Sequence, residues 1–151
     1  MLIGLAFHIL AAIIWIGGLF FAYLILQPSV RLLEVSIRMA FWSQVLSRFF
    51  LWGWISNAVL LASGFAMLFM GFGGFEAVPI HVRAMMALGI ITAAVYAYLY
   101  VAPWRRFRRA VAITDWTVAE RSVGQVRVFA TITLALGLVT AVIGATGRYY
   151  G

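Results

Sequence analysis

The first thirty residues are the feature that most constrains the fold. From Met1 to Val30 the chain carries no Asp, Glu, Lys or Arg, and its single histidine is His8. A run of this kind predicts a transmembrane helix, because about 20 residues at 1.5 Å rise cross a hydrocarbon core of ~30 Å. The run is longer than the apolar core of a signal peptide and no basic residue precedes it, so we expect a retained first helix.

The rest of the chain is as apolar as its beginning. Hydrophobic residues make up 66%, charged residues 10%, and the mean hydropathy is +1.07. A soluble domain of 151 residues has no means of covering that apolar surface. The composition therefore predicts an all-α polytopic membrane protein with a single membrane domain over residues 1–151. The chain has no Cys, which excludes disulfides and thiolate metal sites.

Four apolar stretches predict a bundle of four transmembrane helices. We expect the first to end before Pro28, because the residue that precedes a proline disfavours helix. The charged segment 31–48 is predicted as an interfacial or extended helix. Thr117 and Glu120 have capping-box spacing, which favours a start of the last helix near Val118. The predicted helices cover residues 2–26, 49–71, 80–104 and 118–147.

Basic residues in the short loops predict the orientation of the bundle. Nine arginines lie in the loops after the first and third helices, whereas the opposite side has Arg83 and Arg148 alone. We therefore expect both termini on the outer, periplasmic side of a bacterial inner membrane. The net charge of +7 sits beside apolar spans, where anionic lipid attracts it. Lipid headgroups at Arg105–Arg109 are the expected partner, and nucleic acid is not.

His8 is the first candidate functional residue, because a titratable side chain within a membrane is costly. Four residues share its predicted helix face: Gly4, Ala11, Trp15 and Gly18. Small residues let helix backbones approach closely in lipid. We therefore expect His8 to point into the helix bundle and away from lipid.

Small and polar residues mark the bundle faces of two other helices. In the second helix such a face contains Gly53, Asn57, Gly64 and Gly71, and in the fourth a stripe contains Thr133, Gly137, Thr140 and Gly144. We expect Asn57 to form a hydrogen bond across helices, as polar side chains in membrane bundles do.

The second histidine, His81, begins the third helix, so both histidines are predicted in the outer half of the bilayer. Imidazole is the commonest metal ligand in proteins. We therefore expect one bis-histidine haem b near the periplasmic side, in a protein of electron transfer or a small membrane oxidoreductase. Haem also needs apolar walls and a cation for its propionates, for which the candidates are Phe7, Trp15, Phe72 and Arg83.

Copper is the alternative cofactor. His81 with Met85, and His8 with Met67 or Met70, combine imidazole with thioether, a ligand set that suits Cu(I). In a third interpretation the two histidines only form hydrogen bonds across the bundle. A carboxylate proton relay is not expected, because no Asp or Glu lies within an apolar span. A redox partner or quinone, and a homodimer, remain open as partners.

Three segments resemble the CopD family of copper-resistance D-type membrane proteins. The family's opening helix shows a His, a W-x-G-G and then a Pro, and the similar residues here read FHILAAIIWIGGLFFAYLILQPSV. Its second helix is similar to SRFFLWGWISNAVLLASGFAML, and its short single-domain branch to HVRAMMALGIITAAVYAYLYVAPWRRFRRAV. The resemblance implies copper handling, through the association of this family with copper operons.

The opening helix and the H-x-[KR] start of the third helix also resemble the HemJ-type protoporphyrinogen oxidases. That resemblance implies a four-helix core that binds haem b through His8 and His81. Arg83 stands where these oxidases usually have a Lys, and Leu24 to Pro28 replace an expected Arg. Porphyrinogen oxidation itself is therefore not expected.

Overall fold

Four long helices form the fold in the computed structural model, which describes residues 2–71, 73–74 and 78–149. Each helix is long and apolar enough to cross a membrane, so the chain is a multi-pass membrane protein. We call the end of the bundle where α1 begins and α4 ends the terminal end, and the opposite end the arginine end. The helices are α1 (Leu2–Leu32), α2 (Val35–Gly71), α3 (Ile80–Ala112) and α4 (Trp116–Thr146).

The first helix continues past Pro28, where the sequence predicted its end. A π-helical segment, Phe21–Leu26, precedes a single α-helical turn, Gln27–Ser29, and the helix closes as a 3-10 turn, Val30–Leu32. A proline ring inside a regular α-helix clashes with the carbonyl four residues earlier. The wider π turn moves that carbonyl aside, so α1 accommodates the proline and continues.

The third helix uses the same solution at Pro103. This proline lies in a π-helical segment, Tyr100–Trp104, after which α3 continues as Arg105–Ala112. The basic run predicted to follow the helix is therefore part of it. Most of the charged segment 31–48 extends the second helix, which was one of its two predicted forms, because α2 is one continuous helix from Val35.

The last helix begins two residues earlier than predicted. Asp115 is its N-cap, and the Asp115 carboxylate accepts a hydrogen bond of 3.1 Å from the Val118 backbone N–H. Thr114, which precedes it, has a positive φ of 55°, and this left-handed residue turns the chain from α3 into α4. The predicted capping box at Thr117 is therefore wrong, because Thr117 already lies inside the helix.

Most of the packing between helices occurs within two pairs, α1 with α2 and α3 with α4. An aromatic cluster of Trp15, Phe50, Tyr96 and Trp104 connects the pairs at the middle of the bundle. The Trp15 and Tyr96 rings meet edge to face with centroids 4.5 Å apart, and the Phe50 and Trp104 centroids are 5.0 Å apart. The Tyr96 hydroxyl donates a 2.9 Å hydrogen bond to the Phe50 carbonyl, which satisfies its buried polar atom.

The small-residue stripe of α4 faces inward, as predicted. Thr133 is fully buried, and a Cβ on Gly137 would lie 3.2 Å from the Ile16 side chain of α1. The prediction for Asn57 is wrong. Its Nδ2 donates to the Gly53 carbonyl of the same helix at 3.2 Å, so the buried amide is satisfied locally.

Candidate functional site

His8 packs against α2, in agreement with its predicted orientation. Its Nδ1 lies 2.8 Å from the Ser63 Oγ, and a Cβ on Gly64 would lie 3.5 Å from its Cε1. The imidazole therefore occupies a groove that exists because residue 64 has no side chain. The hydrogen bond across helices agrees with the structural interpretation of this histidine.

The hydrogen bonds of Ser63 define which nitrogen of His8 carries the proton. A hydroxyl has one proton to donate, and the Ser63 Oγ lies 2.5 Å from the Val59 carbonyl, which can only accept. The Ser63 oxygen therefore accepts from the Nδ1–H of His8. The Nε2 of His8 keeps its lone pair, which is the arrangement in which a histidine acts as a metal ligand with its other nitrogen held by a partner.

The two methionines predicted beside His8 are placed differently. Met67 packs at the α1–α2 interface, where its Cγ lies 3.7 Å from the position of a Cβ on Gly4, one helical turn from His8. Met70 is 88% exposed and lies seven residues beyond Ser63, or about 10 Å along the helix. The structure thus brings Met67, but not Met70, close to His8.

His81 lies in the first turn of α3 and packs on the end of α4. A Cβ on Gly147 would overlap its Cβ and its ring. The His81 Nδ1 is buried, and no hydrogen-bond partner for it exists among the described residues. An unpaired buried nitrogen costs about 1–3 kcal/mol, so a water, an ion or another polar partner would stabilise it.

Met85 follows one helical turn after His81 on the same interface. Its Sδ lies 3.1 Å from the position of a Cβ on Gly144, so the side chain fills the space above that glycine. Residues four apart in a helix are neighbours, with Cβ atoms about 5–6 Å apart. The imidazole and the thioether therefore lie side by side in the seam between α3 and α4, and we call them the His81–Met85 pair.

The two histidines pack against different helices. His8 lies seven residues from Trp15 and His81 fifteen residues from Tyr96, and Trp15 contacts Tyr96. His8 packs against Ser63 of α2, whereas His81 packs against the end of α4 at Gly147. Metal–imidazole bonds of about 2 Å would instead require their nitrogens about 4 Å apart on one iron. The prediction of a bis-histidine haem b thus has no support from the structure.

The other residues predicted around haem also lie elsewhere. Trp15 is buried in the aromatic cluster, whereas Phe7 is 58% exposed on the lipid-facing side of α1. The Arg83 Nε donates to the Val78 carbonyl at 3.1 Å, so this guanidinium contacts the backbone before α3. Phe72 lies outside the described residues.

Sequence reasoning missed Ser63 and Tyr96. Ser63 lies in α2 one residue before Gly64, and Gly64 belonged to the predicted bundle face of that helix. The neighbouring glycine was therefore the available signal for Ser63. Tyr96 gave no such signal, because a tyrosine within an apolar helix also suits the lipid interface.

No group of three or more His, Cys, Asp or Glu side chains that could hold a metal ion is present in the part of the chain that the structure describes. A metal site built from these residues therefore needs another class of donor. Because the chain has no Cys, the methionine thioether is its remaining soft side-chain ligand.

One comparison with known proteins gave a match. Residues 43–146 match the profile of the family described as Copper resistance protein D. The matched range includes His81 and Met85 but not His8. No curated protein and no solved structure matched the chain. The matched residues cover most of α2 and all of α3 and α4.

Proposed function

This chain belongs to the Copper resistance protein D family, and from that membership we propose that it handles copper in a bacterial inner membrane. Copper is then the cargo of the protein. This proposal replaces haem-dependent electron transfer as the function that the residues support best.

The observation that carries the proposal is the His81–Met85 pair. Its imidazole nitrogen is buried and unpaired among the described residues, and a thioether lies one turn away in the same seam. Cu(I) prefers soft and borderline ligands and accepts low coordination numbers, so a nitrogen and a sulfur are a suitable donor set. Both residues also lie within the family match.

Each residue of the pair has a separate role in this proposal. The His81 Nδ1 donates its lone pair to the metal, which removes the cost of an unsatisfied buried nitrogen. The Met85 sulfur favours Cu(I) over Zn²⁺ or Mg²⁺, because thioethers bind hard cations weakly. Gly144 and Gly147 keep the seam narrow, so that both side chains are held against α4.

The same logic makes His8 and Met67 a second candidate pair. The His8 Nε2 has a free lone pair because its Nδ1–H is bonded to Ser63, and Met67 lies one turn away across α1 and α2. The two pairs lie at different helix interfaces, α1–α2 and α3–α4. We propose that copper enters at His81–Met85, near the terminal end, and that His8–Met67 receives it deeper in the membrane.

Titration of the purified protein with Cu(I), against a chromophoric chelator, tests the proposal. We expect His81→Ala and Met85→Leu each to weaken Cu(I) binding at least tenfold. Met85→Leu keeps the side-chain volume, so the bundle should remain folded. Met86→Leu is the matched control, since it removes a sulfur from the next residue of the same helix and should leave the affinity unchanged.

Two results would contradict the proposal. Equal Cu(I) affinity in the wild type, His81→Ala and Met85→Leu would show that the pair is not a ligand set. A purified protein with a Soret band that shifts or disappears in both His8→Ala and His81→Ala would restore the haem interpretation.

A further inference from the structure

A second candidate site lies at the arginine end and does not depend on the copper proposal. There a pocket of about 310 Å³ opens between α1, α2 and α4, a volume equal to roughly ten water molecules at ~30 Å³ each. Its floor is aromatic, since the Tyr23 and Trp42 rings stack with centroids 6.1 Å apart. Its polar wall contains Gln27, Arg31, Arg38, Glu120 and Arg127.

Arg38 holds the pocket together. Its guanidinium forms an ion pair with Glu120 of α4 and donates to the carbonyls of Leu33, at 3.1 Å, and Arg31, at 3.4 Å. It therefore connects the turn between α1 and α2 to α4. The Glu120 carboxylate neutralises the positive charge of Arg38, and the two carbonyls accept its remaining hydrogen bonds. Arg38 therefore stabilises the pocket and is not free to bind a ligand.

The charges of the other two arginines, Arg31 and Arg127, are available to bind a ligand. The Arg127 guanidinium has no hydrogen-bond or ion-pair partner within the described residues, and Arg31 has only a long 3.5 Å contact with the Gln27 side chain. Three guanidinium groups and one carboxylate leave a net charge of +2 at the pocket. Because Arg31 and Arg127 come from different helices, they approach the pocket from two sides.

We propose that this pocket binds the phosphate of an anionic phospholipid headgroup. Guanidinium groups bind phosphate oxygens through paired, charge-assisted hydrogen bonds. The pocket lies at the ends of membrane-crossing helices, which is the depth of the headgroups. The exposed side chains of Leu24 and Ile25, about two turns before Arg31 and nearer the membrane centre, provide apolar surface for the acyl chains, which a free phosphate ion would not use.

Native mass spectrometry of the detergent-purified protein tests the proposal. The protein is titrated with phosphatidylglycerol, with phosphatidylcholine and with inorganic phosphate. We expect one phosphatidylglycerol to bind in preference to phosphatidylcholine. Arg31→Gln and Arg127→Gln should each weaken its binding about fivefold, and together more than tenfold.

The matched control is the double variant Arg105→Gln and Arg109→Gln, which removes the same charge from exposed residues of α3 at the same end. It should leave the specific binding of one lipid unchanged. If it weakens binding as much as the pocket variant does, the attraction is general surface charge and the proposal is wrong. If inorganic phosphate displaces the lipid at equal concentration, the occupant is free phosphate and the lipid assignment is wrong.

Discussion

At the scale of single residues, the glycines show where helices are in closest contact. A Cβ on Gly53 would overlap the Tyr96 hydroxyl and would lie 2.8 Å from the Trp15 ring. Gly89 in α3 has no atom within 4 Å of the corresponding position. Both glycines lie inside apolar helices, yet Gly53 is required for close packing and Gly89 is not.

We expect Gly53→Ala to destabilise the protein by about 1–3 kcal/mol, because the added methyl group pushes Tyr96 and Trp15 apart in a packed core. Gly89→Ala is the control and should be neutral or stabilising by up to about 1 kcal/mol, since alanine favours helix. Thermal unfolding in detergent measures both. Equal midpoints for the two variants would contradict the packing described here.

The orientation of His8 was predictable from its own helix, but its partner was not. Spacing within one helix places Gly4, Trp15 and His8 on a shared face, and that face does lie against α2. The contact with Ser63, however, depends on the register between two helices, which no periodicity within either helix determines. The same reason explains why the seam between His81 and Gly147 was not foreseen.

At the scale of helices, the four membrane-spanning helices were predicted correctly from the sequence, but several of their ends were not. Pro28 was predicted to end the first helix, and the third helix was predicted to end at residue 104, yet π-helical segments let both helices continue past Pro28 and Pro103. π turns are rare and occur mostly as single turns inside α-helices, so neither segment was predicted from the sequence. The start of α4 was misplaced for a simpler reason, because Asp115 is as good a cap as Thr117.

The cap of α4 gives a direct test. Asp115→Ala removes the acceptor for the Val118 N–H and should lower the free energy of unfolding by about 1 kcal/mol. Asp115→Asn retains an acceptor and should retain most of the stability. Thr117→Ala lies inside the helix and should have little effect, so a larger loss for Thr117→Ala than for Asp115→Ala would favour the capping box instead. Denaturation followed by circular dichroism measures all three.

At the scale of the whole molecule, the charge distribution predicts how the bundle sits in the membrane. Nine of the eleven arginines lie at the arginine end. By the positive-inside rule that end is expected in the cytoplasm and both termini in the periplasm.

Reporter fusions test this orientation. A phosphatase fused after Gly151 should be active, because it folds only in the periplasm, and one inserted between Ile113 and Thr114 should be inactive. A fluorescent reporter that folds only in the cytoplasm, placed at the same two positions, should give the opposite pattern. Reversed activities would place the arginine end outside.

Hydropathy was sufficient to predict four membrane spans, because an apolar helix in lipid needs only length and composition. It did not reveal which helices pair, since all four have apolar surfaces of similar character. The aromatic cluster, in which Trp15 of α1 meets Tyr96 of α3, follows from that pairing. The haem hypothesis required the two histidines in one slot between helices. It therefore depended on which helices pair, and composition does not determine that pairing.

The pairing of helices has a mechanical consequence. The chain consists of two helical hairpins, α1 with α2 and α3 with α4, and most of the packing lies inside each one. His8 and Met67 belong to the first hairpin, and His81 and Met85 belong to the second. Each hairpin thus carries a complete imidazole and thioether set, so one hairpin can tilt against the other without separating either set. Passage of copper between the sets would then require a crossing between hairpins on the terminal side of the aromatic rings that close the middle of the bundle.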